Sequence, residues 1–227
     1  MNLEVILDPA RGSSGDRVLL VMLPGAGDSA DAFARHGFVR ALRDASIAAD
    51  VAMVGANLGH YLERQFPARL ARDVIDPARR RGVTRVWLLG ISLGGMGALL
   101  YARERSAEVT GVVLLAPFLA VRGTIASVHD AGGLAHWEPG EIAPHDDERL
   151  LLAWLKRYPG DGNAPRLYLG YGESDRFAPA SALLERMLPA NHVVMDDGAH
   201  DWPTWLRLWT RLLALGIFFE STVDHAQ

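Results

Sequence analysis

Six short runs rich in valine, leucine and isoleucine, each followed by a longer segment of helical spacing, restrict this chain to a sheet of parallel strands joined by crossover helices. The runs fall at 18–23, 50–54, 85–89, 109–115, 166–171 and 191–195. They are apolar almost without interruption, which predicts strands covered on both faces. A further strand is expected over 3–7, reached through the turn-rich 8–17, with an antiparallel edge hairpin as one arrangement. Helices are expected over 31–44, 61–81, 95–105, 179–188 and 202–219, Pro67 and Pro77 bending or shortening the second. The segment 118–145 breaks the rhythm: it holds Gly123, Gly132, Gly133, Pro139, Gly140 and Pro144 without a clear period. It reads as an excursion above the sheet that leads into a helix at 146–158, so a short lid is expected over 118–158. With 227 residues, 49% of them apolar, the chain can enclose one substantial core and falls short of two ordinary domains with a linker. One α/β domain over 1–227 is the expectation.

Charge and composition narrow the partners. A formal net charge of -4 offers no electrostatic case for nucleic acid or acidic membranes, and points instead to a small molecule. The triplet Arg79, Arg80 and Arg81 reads as the solvated end of a helix. No apolar run approaches the roughly 20 residues that span a bilayer. The absence of cysteine excludes disulfides, cysteine-held zinc and a thiol nucleophile. The first 17 residues lack the pattern of a secretory leader, which makes a cytoplasmic location the expectation. Nothing calls for a metal or organic cofactor.

Chemistry concentrates where the apolar runs end. The stretch from Arg85 to Gly97 is a strand, a serine flanked by Gly90 and Gly94, and then a helix rich in Ala and Leu. A serine at so sharp a strand-to-helix turn adopts a strained backbone, and small residues two positions away on either side let neighbouring segments approach. Its hydroxyl stands exposed above the sheet, and the amides of the following helix favour negative charge on an attacking or tetrahedral oxygen. Ser92 is therefore the expected nucleophile, against the plainer reading of a glycine-rich turn.

Two later strand ends supply an acid and a base. Arg166 to Pro179 runs from a strand into a polar loop carrying Asp175, with Glu173 as local competitor and Asp196 and Asp197 as further ones. A carboxylate there can accept a hydrogen bond from a histidine ring and fix its tautomer. Asn191 to Pro203 is a strand, a glycine loop and His200, placed directly before a helix. Imidazole titrates near neutrality, so it can take the serine proton and return it to a leaving group. His192 lies inside its strand and reads as structural, and His36, His60, His129, His136, His145 and His225 lack this context.

Ser92, Asp175 and His200 occur in that order, and from Val18 to the C-terminal helix the sequence resembles a serine esterase of the α/β-hydrolase superfamily. The stretch Gly198-Ala-His200-Asp-Trp202 is also similar to the histidine loop of the esterase D and acetyl-xylan-esterase-like groups. The resemblance implies a mostly parallel sheet with helices on both faces. It also places the first oxyanion turn at Pro24-Gly25-Ala26-Gly27, where Pro24 replaces the histidine common in relatives. Because the donors are peptide N–H groups, that departure leaves the role intact; Ala26 and Leu93 are the candidates, with Gly27 as alternative to Ala26. The loop lacks the lysine of a phosphate-binding P-loop and makes a weak dinucleotide fingerprint.

The implied route is an acyl-enzyme on Ser92, released by water that His200 activates. An open pocket bordered by Tyr61, Phe118, His136, Trp137, Phe177 and Trp202 would favour neutral short or medium acyl groups or an aromatic alcohol portion, although each ring could equally belong to the core. Acyl transfer and thioester hydrolysis need the same residues. A small-molecule receptor of the same fold is the alternative outside enzymes.

Overall fold

The computed structural model describes residues 3–10, 17–56, 58–62 and 65–219. Its seven strands are β1 (Glu4–Asp8), β2 (Arg17–Leu23), β3 (Ala49–Gly55), β4 (Val83–Ile91), β5 (Gly111–Leu115), β6 (Arg166–Gly172) and β7 (Val193–Asp196). They form one sheet in the order β1-β3-β2-β4-β5-β6-β7. Every pair from β3 to β7 is parallel, and only β1 runs antiparallel. The strand expected at the start is present, but its partner is β3, with Glu4 opposite Gly55 and Asp8 opposite Val51, so it makes no hairpin with β2. Residues 11–16 of the connection lie outside the described residues.

Ten helices complete the described fold: α1 (Ala32–Arg35), α2 (Phe38–Asp44), α3 (Leu58–Leu62), α4 (Phe66–Leu70), α5 (Asp76–Arg80), α6 (Leu93–Glu104), α7 (Arg122–Asp130), α8 (Asp147–Arg157), α9 (Ala178–Glu185) and α10 (Trp202–Ala214). The helix expected over 31–44 is split, because Gly37 takes a left-handed φ of 83° between α1 and α2. The one expected over 61–81 is segmented: a π turn, Ala71–Ile75, joins α4 to α5, while 63 and 64 lie outside the described residues. Pro67 sits in the first turn of α4, where a missing N–H costs nothing, whereas Pro77 follows directly on the π turn within continuous helical backbone and removes a donor there. The excursion after β5 contains α7, which the sequence did not announce. Only Val128 of its nine residues is buried, so it carries no apolar stripe to detect.

Alternate residues of the central strands enter two cores, which explains why the runs are apolar at every position. Leu19, Val21, Leu23, Val86 and Leu88 face a core built with α4, α6 and α8. Leu20, Met22, Trp87, Leu89 and Ile91 face one built with α1, α2 and α10. The strands are thereby held rigidly from both sides, and the loops at the carboxyl ends of β2, β4, β6 and β7 are brought together at one edge of the layers.

Candidate active site

Ser92 follows β4 directly and adopts φ 53° and ψ -117°, a conformation that costs a non-glycine residue about 1–3 kcal/mol. Three backbone hydrogen bonds hold it there: Ser92 N–H donates to Leu115 (3.0 Å), while Gly95 and Phe118 N–H donate to the Ser92 carbonyl (3.0 and 2.9 Å). The flanking glycines are required by contact. A Cβ on Gly90 would lie 2.6 Å from the Gly94 carbonyl carbon and the Gly95 Cα, and one on Gly94 would overlap the Leu23 carbonyl and lie 2.6 Å from the Pro24 oxygen. The bare backbone of Gly94 thus lets the turn after β2 press against the start of α6. Gly94→Ala must push those strand ends apart. We expect it to lower stability by roughly 3 kcal/mol or more, measured by urea unfolding, and to depress turnover in whatever fraction stays folded.

His200 Nε2 lies 3.0 Å from Ser92 Oγ, and its Nδ1 lies 2.8 Å from Asp175 Oδ2. A carboxylate can only accept, so the Nδ1 nitrogen carries the proton and Nε2 is left to accept from the serine hydroxyl. The Asp175 side chain is fully buried, and its second oxygen accepts from Phe177 N–H at 2.7 Å. Both carboxylate oxygens are therefore engaged, which orients the group within its own turn. The competing acids are elsewhere: Asp196 is taken by Arg207 of α10, whose guanidinium holds its carboxyl below the usual range, and Glu173 and Asp197 are exposed.

Glycine contact also joins the acid turn to the histidine loop. A Cβ on Gly172 would overlap the Gly198 carbonyl, the same oxygen that accepts from Ser174 N–H at 3.1 Å. Immediately after His200, Asp201 caps α10 by accepting from Thr204 N–H at 2.9 Å, a bond that lowers the pKa of its carboxyl. The imidazole is also flanked by two perpendicular rings, Phe177 at 5.0 Å and Trp205 at 4.8 Å between centroids.

The turn after β2 reaches the serine as well: a Cβ on Gly25 would be 3.6 Å from Ser92 Cβ. Ala26 is the next residue and is exposed, while Leu93 supplies the first amide of α6, which has no acceptor within its helix. Of the six aromatic positions named from the sequence, Phe118 and Phe177 meet edge to face at 5.7 Å beside Ser92 and His200. Trp202 stacks on His36 at 4.3 Å and meets Trp205 at 5.3 Å. Tyr61 is buried, its ring seated against Gly97 and its hydroxyl donating to the Pro24 carbonyl at 3.0 Å, so it braces the turn from beneath. Burial raises its pKa far above the usual phenol value. His136 is exposed and Trp137 buried in the excursion, and among the described residues neither has a ring contact or hydrogen bond with Ser92, Asp175 or His200. A groove of about 550 Å³ lies along the acid turn, lined by Glu173, Asp175, Arg176, Pro179 and Met195 but not by Ser92 or His200.

A family model described as Hydrolase_4, serine aminopeptidase S33, matches residues 16–162, more than half of the chain. The chain belongs to that family. It is thus a serine hydrolase of the α/β-hydrolase fold, and the matched span carries Ser92, Ala26 and Leu93 but stops short of Asp175 and His200. No curated protein sequence matches this S33-family chain. Among solved structures it is similar to FphF, a fluorophosphonate-binding serine hydrolase of Staphylococcus aureus, at 15% identity and TM-score 0.69, covering 96% of this chain and 92% of that one. It is also similar to a ferulic acid esterase (14%, TM-score 0.67, 96% and 99% covered) and to Est1E of Butyrivibrio proteoclasticus (16%, TM-score 0.66, 95% and 93% covered). At such identities the likeness concerns the fold.

Two features of this S33-family site escaped sequence reading. Trp205 touches His200 from the next turn of α10, and the only available signal was its position five residues on, at the helix start. Asp28 lies across Gly25 from Ser92, where a residue type common in loops gave no sign of it.

Proposed function

We propose that Ser92, His200 and Asp175 form a catalytic triad and that the protein hydrolyses carboxylic esters of small or medium acyl groups through an acyl-enzyme. The observation that carries this reading is the unbroken path from Asp175 Oδ2 through the His200 ring to Ser92 Oγ, with the serine held in the strained turn. Ser92 Oγ attacks the ester carbonyl while its proton passes to Nε2. The N–H groups of Ala26 and Leu93 stabilise the oxyanion. Collapse expels the alcohol, which takes the proton from Nε2, and a water molecule repeats both steps to release the acid and restore the serine. Phe118 and Phe177 border the acyl group, with Trp202 on the far flank of His200, and the segment 118–158 acts as a short lid on a single domain.

Labelling with a fluorophosphonate probe, beside hydrolysis of p-nitrophenyl acetate, butyrate and octanoate, tests the reading. Labelled protein and higher kcat/KM on acetate and butyrate than on octanoate are expected. Folded protein that neither labels nor turns over any ester contradicts it. Because the family model is described by an aminopeptidase, aminoacyl p-nitroanilides belong in the same assay, and faster cleavage of these amides than of the esters would replace esterase by peptidase.

A further inference from the structure

Asp28 lies just past the Pro24–Gly27 turn, with its carboxylate on the Gly25 side of Ser92. A Cβ on Gly25 would lie 3.4 Å from Asp28 Oδ2 and 3.6 Å from Ser92 Cβ, so the carboxylate oxygen and the serine Cβ are at most about 7 Å apart across the open side of Gly25. The neighbouring Ser29, Asp31 and Arg35 are bonded to one another. Asp28 is half-buried, and among the described residues its carboxylate has no hydrogen bond and no ion pair. The turn is held without the carboxylate, by the Asp28 backbone N–H donating to the Gly25 carbonyl (3.4 Å) and the Tyr61 hydroxyl donating to the Pro24 carbonyl (3.0 Å).

A fixed negative charge at this place opposes the reaction it borders. The tetrahedral intermediate develops a negative oxygen at the same turn, and like charges on one turn of a partly dehydrated site repel. Neutral esters meet that repulsion in full. A substrate that brings its own donor or positive charge converts the same carboxylate into a binding partner, and charge-assisted hydrogen bonds of this kind are among the stronger ones available.

We propose that Asp28 is a specificity-determining residue, accepting a hydrogen bond from an ammonium or hydroxyl group that the substrate carries close to its scissile carbonyl. The proposal rests on Ser92 being the nucleophile, and it refines the expectation of neutral acyl groups.

Two matched series test it. Ethyl esters of glycine, glycolic acid and propionic acid present ammonium, hydroxyl and methyl at one place in the acyl half; propionate esters of 2-aminoethanol, ethylene glycol and 1-propanol do so in the alcohol half. In one of the two series, the donor-bearing esters should exceed their methyl counterpart in kcat/KM by about ten- to a hundredfold. Asp28→Asn should keep the hydroxyl preference, lose the ammonium preference and raise turnover of the methyl ester severalfold; Asp28→Ala should lose both preferences. Equal rates across both series in a wild type that cleaves the methyl esters overturn the proposal, as does an equal loss on all esters in both variants. Failure of the hydrolase reading is distinct: no ester is cleaved and the fluorophosphonate does not label.

Discussion

Replacing Ser92 by alanine should lower kcat on p-nitrophenyl butyrate on the order of a million-fold, the scale of nucleophile removal in a serine protease, and abolish fluorophosphonate labelling. The substitution removes one oxygen that bonds to His200 Nε2 and leaves the turn intact. Serine and alanine share the same Cβ, so the turn holds alanine at the positive φ it already imposes on Ser92. Thermal unfolding should therefore match the wild type closely. Residual turnover near the wild-type level would show that the hydrolysis measured belongs to another group, and the serine would lose its assigned role.

Asp175→Asn should lower kcat about ten-thousandfold with little change in KM. The amide fits the same space, and its oxygen can go on accepting from Phe177 N–H. Its nitrogen then faces His200 Nδ1 as a donor, which forces the opposite tautomer and turns an N–H toward the serine hydroxyl. The base is still in place and can no longer receive the proton. Glu173→Gln provides the control, because Glu173 is exposed and bonded to His200 by nothing described, so its kcat should stay within about twofold of wild type. A large loss on Glu173→Gln, with Asp175→Asn near normal, would exchange the two acids.

Much of this site was legible because its chemistry sits where strand patterns stop. An apolar run ending in Gly-x-Ser-x-Gly, another ending in a polar loop and a third ending in a glycine loop before a helix put Ser92, Asp175 and His200 at one edge of a parallel sheet without further information. The choice of Asp175 over Glu173 also has a physical basis visible afterwards. Only a short carboxylate folds back to accept from the amide two residues on while its other oxygen reaches the imidazole. What the pattern does not encode are pairings across space. The β1 strand reads as a strand, but nothing in five residues says that it will join β3 rather than the strand next in sequence. Helix α7 carries almost no buried face, and the left-handed Gly37 is one of many glycines until its φ is known. Tyr61 reads as an aromatic near a loop, whereas its contribution is a single hydrogen bond to a carbonyl 37 positions away.

The three side chains of the proposed triad are unevenly anchored. Ser92 and the Pro24–Gly27 turn grow from β4 and β2, interior strands paired on both sides, whereas His200 follows β7, a four-residue strand at the margin of the sheet with β6 as its single neighbour. Marginal units open at a smaller free energy than the whole molecule does. The clasp between Gly172, Ser174 and Gly198 therefore carries much of the support of the histidine loop: an opening of β7 alone would part His200 from Ser92 with the interior pairs still closed. On the proposed triad, the base hangs on an edge strand while the nucleophile grows from an interior one.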